Sequence, residues 1–112
     1  LVRLRRSDAD SMLEKSVVDA TGLVGRSCYL PCTFPSILHA CLKHPGDFTT
    51  AVLETVRAGG DNASRAACVG AMQGAAIGFS AIPEQLINSL NASRAILAQC
   101  EQLLLLSGQS GS

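Results

Sequence analysis

The chain has 112 residues, 47% hydrophobic and 16% charged, with nine Lys and Arg against nine Asp and Glu. That length holds one domain at most, and zero net charge argues against a nucleic-acid or anionic-membrane binder held by bulk charge. With 4% aromatics and no Trp, the core is left to Ala, Gly and Leu, which suits close helix packing better than stacked sheets.

Arg3, Arg5 and Arg6 form the basic cluster at the start, offset by Asp8, Asp10 and Glu14. This reads as a solvated helix start rather than a phosphate grip. Acids stand where the apolar stretch of a signal peptide belongs, so a cytoplasmic protein is expected. Ser7 followed by Met12, Leu13, Val17 and Val18 predicts one capped amphipathic helix ending near Gly22. Gly22, Gly25, Pro31 and Pro35 punctuate residues 21–35, which predicts a loop. Pro35 then opens a short helix through Ile37, Leu38 and Leu42, which breaks at His44-Pro45-Gly46. Asp47 caps the next helix, with Phe48, Val52 and Val56 in a four-residue rhythm up to Gly59-Gly60.

A longer helix follows, in which Asn62, Ala66, Gly70, Gly74 and Gly78 recur every fourth residue. Positions four apart share a face, so this strip predicts close approach to another helix. Gln73, Ser80 and Pro83 interrupt its apolar run, which falls short of a membrane span. Ile82-Pro83-Glu84 starts a short helix through Leu90, and Asn91 or Ser93 caps a last one. Its Leu103 to Leu106 run predicts burial on more than one side or pairing with a partner. Residues 107–112 read as a flexible tail after a domain of residues 1–106. No alternation of strand type appears, so the chain reads as all-α, a multi-helical bundle of orthogonal type. Helices this short make a thin core alone, which suggests a piece of a larger helical domain.

Five cysteines, an odd set without a disulfide rhythm, read as free thiols in a reducing compartment. Cys28 and Cys32 have three intervening residues, but no second pair completes a zinc site. Cys41, Cys68 and Cys100 lie in apolar runs and read as small buried hydrophobes. His39 and His44 read as helix-surface or loop residues rather than catalytic bases.

The segment Ala58-Gly59-Gly60-Asp61-Asn62-Ala63-Ser64-Arg65 gathers two glycines, an acid, an amide and a hydroxyl at the mouth of the glycine-strip helix. Asp61 or Asn62 suits an N-cap. Such hard oxygens at a helix end can hold a cation or polar ligand inside a bundle, or simply cap a tightly packed core helix.

An ordered set of motifs carries a resemblance. Cys28-Tyr29-Leu30-Pro31, Phe34 to Ala40, Asp47-Phe48, Ala51-Val52, Arg57 to Arg65 and Ile82-Pro83-Glu84 resemble the C-terminal part of the ADP-ribosylglycohydrolase family, over roughly residues 25–90. That family includes dinitrogenase-reductase-activating glycohydrolases and J1 crystallins. The resemblance implies an all-α fold that removes ADP-ribose from modified side chains, using two magnesium ions. It implies two ligand motifs, a Thr-Asp-Asp-like one near the N-terminus and a Gly-Gly-Asp-x-Asp-Thr/Ser one near the C-terminus.

Asp61 matches the first acid of the second motif and Ser64 its hydroxyl ligand; Ala63 falls where the second acid belongs. Magnesium wants octahedral oxygen coordination with carboxylates offsetting its charge, and Asn62 stands one residue off, about 100° round the helix. Nothing upstream of Gly25 resembles the first motif. By the same resemblance Tyr29 borders the nucleotide pocket, where it can stack on adenine or serve as a rim residue.

The expectation is a glycohydrolase-like chain inactive as it stands, with magnesium the family's cofactor but short of ligands here. The alternative is a crystallin-like structural protein with a decayed site. A third reading is an enzyme completed by an N-terminal segment or another chain. The partner is then ADP-ribose or an ADP-ribosylated protein, with no nucleic acid and no membrane.

Overall fold

The computed structural model describes residues 6–108, with side chains from Asp10 onward. It is all-α, with no strand among the described residues: α1 (Arg6–Glu14), α2 (Val17–Val24), α3 (Leu30–Lys43), α4 (Phe48–Arg57), α5 (Asn62–Ile77), α6 (Glu84–Asn88) and α7 (Ser93–Leu106), plus a 3-10 turn at Phe79–Ala81. Arg3, Arg5 and residues 109–112 lie outside the described residues. The chain forms two compact units, one through Ile77 and one from Gly78.

The single N-terminal helix expected to reach Gly22 is two helices. Ser16 causes the break: its Oγ accepts from the Asp19 amide at 3.1 Å and donates to the Asp19 carboxylate at 2.7 Å. A serine that bonds the backbone three residues on favours an N-cap over a helix interior. The expected loop over residues 21–35 is also shorter, because α3 begins at Leu30. Pro31 sits in the first turn, where a missing N–H has no intrahelical partner to lose. Pro35 withdraws one further donor, yet Cys32 and Thr33 still donate to the Tyr29 carbonyl at 2.9 and 3.0 Å. At α4 the expected cap is present, the Asp47 carboxylate accepting from the Thr50 amide at 3.1 Å.

In the first unit Val17, Ile37, Ala40, Ala51 and Val69 form the core, with Cys41 and Val52 packed against it. It is built from small side chains, so α3, α4 and α5 approach closely. Full burial of a valine such as Val69 contributes about 1.5–3 kcal/mol. The most buried stripe of α5 is Arg65, Val69 and Gln73, one position from the glycine strip. Gly70 does meet α4: a Cβ there would stand 3.7 Å from the Phe48 ring and 3.9 Å from Val52. Gly78 does not belong to the strip, since it follows the end of α5 with φ of 83° and open space around it.

Two buried polar side chains tie helices together. His39, expected at a surface, is buried, and its Nε2 donates to the Met12 carbonyl at 2.7 Å, fastening α1 to α3. Gln73 donates to the carbonyls of His44 at 2.8 Å and Cys41 at 3.3 Å, closing the corner between α3 and α4. His44 itself caps α3 and pairs with Glu54 at 3.0 Å.

Cys68 and Cys100 are exposed, contrary to the expectation of buried thiols, and Cys41 is partly buried. Cys68 precedes Val69 and so stands off the inward stripe of α5. Partial burial pushes the Cys41 thiol up from its ordinary value.

In the second unit the 3-10 turn, α6 and α7 have no buried residue. The run from Leu103 to Leu106 is exposed rather than buried, 38% at Leu104 and 85% at Leu106. α7 starts after Ala92 in the left-handed region, with no side-chain cap from Asn91 or Ser93. Ser107 closes it by donating to the Leu104 carbonyl at 2.8 Å.

Candidate functional site

The motif from Ala58 to Arg65 forms the elbow between α4 and α5. A helix end leaves its last carbonyls without intrahelical donors, and here side chains of the motif and of Arg26 supply them. The Val56 carbonyl accepts from the Asn62 side chain at 2.8 Å, and the Ala58 carbonyl from Arg26 Nε at 2.8 Å. The Gly59 carbonyl accepts from Arg65 Nη2. Carbonyls at a helix C-terminus carry partial negative charge, so guanidinium donors are well matched to them.

Arg26 closes the other side. Its carbonyl accepts from the Asp61 amide at 2.9 Å and from Arg65 Nη1 at 3.0 Å. Gly59 and Gly60, at φ of 73° and 65°, make the reversal that brings these groups together. Both take the left-handed conformation that side chains with a Cβ disfavour.

Of the expected site residues, Asp61 and Ser64 come together. The Ser64 hydroxyl donates to Asp61 Oδ1 at 2.9 Å. Ala63 is exposed between them and offers no side-chain oxygen. The Asn62 amide group is turned to Val56. Among the described residues no three His, Cys, Asp or Glu side chains gather as a metal-holding group. Tyr29 is 66% exposed at the N-cap position of α3, with no side-chain capping bond. No hydrogen bond links Tyr29 to the Asp61–Ser64 pair.

The residue that sequence reasoning missed is Arg65. It is fully buried, and no carboxylate among the described residues lies within ion-pair range of it. Its Nε has no partner. The signal in the sequence was its place on α5, four before Val69 and eight before Gln73, which puts it on the inward face.

An all-α chain whose Gly-Gly-Asp elbow opens a small-residue helix defines a helical protein built around that junction. The chain belongs to the ADP-ribosylglycohydrolase family, whose profile, described as ADP-ribosylglycohydrolase, matches residues 1–112. It is 36% identical over 85 residues to Crystallin J1A of Tripedalia cystophora, covering 76% of this chain and 26% of that protein. It is 33% identical over 87 residues to Crystallin J1B of the same organism, covering 78% of this chain and 27% of that protein. The chain thus spans about a quarter of the length of these curated relatives. No solved structure matches. No helix among the described residues is long and apolar enough to cross a membrane.

Proposed function

We propose that this chain is an ADP-ribosylglycohydrolase-like polypeptide that does not itself hydrolyse ADP-ribosyl bonds. The observation that supports this most is Ala63, an exposed methyl where the family's second acid would stand beside Asp61. Hydrolysis in the family activates water between cations, and such activation needs anionic ligands to hold the metal. At this elbow the carboxylate of Asp61 is engaged by Ser64, and Asn62 is engaged by Val56. These residues do not fit a magnesium site. Were a nucleotide to bind, Tyr29 offers an exposed ring on which adenine would stack. Five free thiols suit a reducing compartment, and we assign the chain to the cytoplasm on that ground.

A second reading, a structural protein of crystallin type, is favoured by the likeness to the two J1 crystallins. A polypeptide that supplied further metal ligands would distinguish a dormant half-site from a decayed one. The direct test is incubation with ADP-ribosylated arginine and serine peptides in magnesium. No release of ADP-ribose above an Asp61→Ala control is expected, and clear turnover above that control would overturn the proposal.

A further inference from the structure

The elbow raises a question of charge that catalysis does not answer. Two arginines, Arg26 and Arg65, point guanidinium nitrogens at backbone carbonyls around Gly59 and Asp61. Arg65 is buried, and no acid among the described residues lies in ion-pair range of it. A buried cation without a counter-ion is strongly unfavourable unless dipoles replace the water it has lost. The dipoles are present: the Gly59 carbonyl lies just past the C-terminal end of α4, and the Arg26 carbonyl faces it across the turn.

We propose that Arg65 is the resident cation of this elbow, and that the carbonyl-lined junction is built for a planar guanidinium rather than for a divalent metal. The chemistry of the donor set favours it. Two convergent carbonyls on separate segments match two nitrogens of one fork, whereas an ion of magnesium's size demands six oxygens at short range. A divalent ion would add to the positive charge that Arg26 and Arg65 already bring to the elbow and would be repelled by both. Arg65 therefore ties this elbow together as a bound metal would tie a carboxylate-rich one, bonding the Gly59 and Arg26 carbonyls and fixing α4 to α5. The inference rests on the misfit of magnesium stated above but not on the absence of hydrolysis, so turnover brought by another polypeptide would leave it standing.

The test is thermal unfolding of the whole chain. The wild type should keep its Tm from zero to 10 mM magnesium chloride, since a ligand that binds only the folded state would raise it. Arg65→Lys, which keeps the charge but not the fork, should lower Tm by roughly 5 °C or more, and Arg65→Ala by more again. Ethylguanidinium at about 10 mM should restore part of the Arg65→Ala loss, with no matching recovery in magnesium. A wild-type Tm that climbs with magnesium would overturn the proposal. So would an Arg65→Lys chain as stable as the wild type, a result that can be read even where Arg65→Ala fails to fold.

Discussion

Gly60 lies directly against the backbone of Arg26: a Cβ at Gly60 would stand 2.9 Å from the Arg26 carbonyl carbon, and closer still to its oxygen. That oxygen is the acceptor shared by the Asp61 amide and Arg65. Gly60→Ala therefore pushes on the acceptor as well as straining a φ of 65°. The expected destabilisation is on the order of 3 kcal/mol in urea or guanidinium unfolding. Gly59→Ala is the internal control, since a Cβ there meets nothing within 4 Å. It should cost only the conformational strain, about 1–2 kcal/mol. Equal losses for the two variants would show that the contact with Arg26 is unimportant.

Gln73→Leu removes the donor that serves the carbonyls of Cys41 and His44. The His44 carbonyl keeps the Asp47 amide at 3.2 Å, but the Cys41 carbonyl loses its Gln73 donor in a part-buried place, which costs more than the net worth of the bond itself. A loss of about 1–3 kcal/mol is expected by equilibrium denaturation. Stability unchanged within error would mean that water takes over both carbonyls.

Asp47 makes stability depend on acid pH. Hydrogen bonding from Thr50, by side chain and amide, holds its carboxyl below the usual carboxylate value, with a smaller contribution from nearby His44. A carboxyl lowered on folding stabilises the protein fully above its unfolded value, and the gain is lost as pH falls through the folded one. Asn is an equally good cap but does not titrate. Asp47→Asn should match the wild type near neutrality and retain more of its stability between about pH 5 and 2. Parallel curves for the two proteins would remove Asp47 from the acid transition.

Leu105 and Leu106 are 76% and 85% exposed at the end of α7. Replacing both with Lys should change unfolding stability by no more than about 0.5 kcal/mol per site. The fluorescence of a dye that reports exposed apolar surface should fall. A marked loss of stability would show that these side chains are packed in solution.

How far the sequence is legible depends on whether an element is governed by its own residues. Asp47 and the Gly59-Gly60 stop were readable because capping is local, and the structure has both. The ordered motifs likewise pointed to the family. Ser16 competes with a continuing apolar rhythm, and period alone could not show that its bond to Asp19 ends one helix and starts another. Pro31 looked like a loop marker because a proline tolerated in a first turn carries the same letter as one that breaks a helix, and Pro35, read as a helix start, lies inside α3. The spacing of Arg65 from Val69 and Gln73 marks its inward place, but what it bonds was unreadable for a different reason. Its partners, Arg26 and Gly59, are carbonyls, and a carbonyl is present at every position of every sequence.

α5 holds the C-terminal end of α4 and the corner before its start. Asn62 and Arg65 bond the carbonyls of Val56 and Gly59, while Gln73 bonds those of Cys41 and His44, at the end of α3. Both junctions that flank α4 are thereby tied to α5. Amide protons of α4 should then exchange with solvent only through an opening that also releases α5, in a single kinetic class. The clasp makes the pair one cooperative unit, so damage at the elbow is felt at the far corner as lost protection rather than as a local defect.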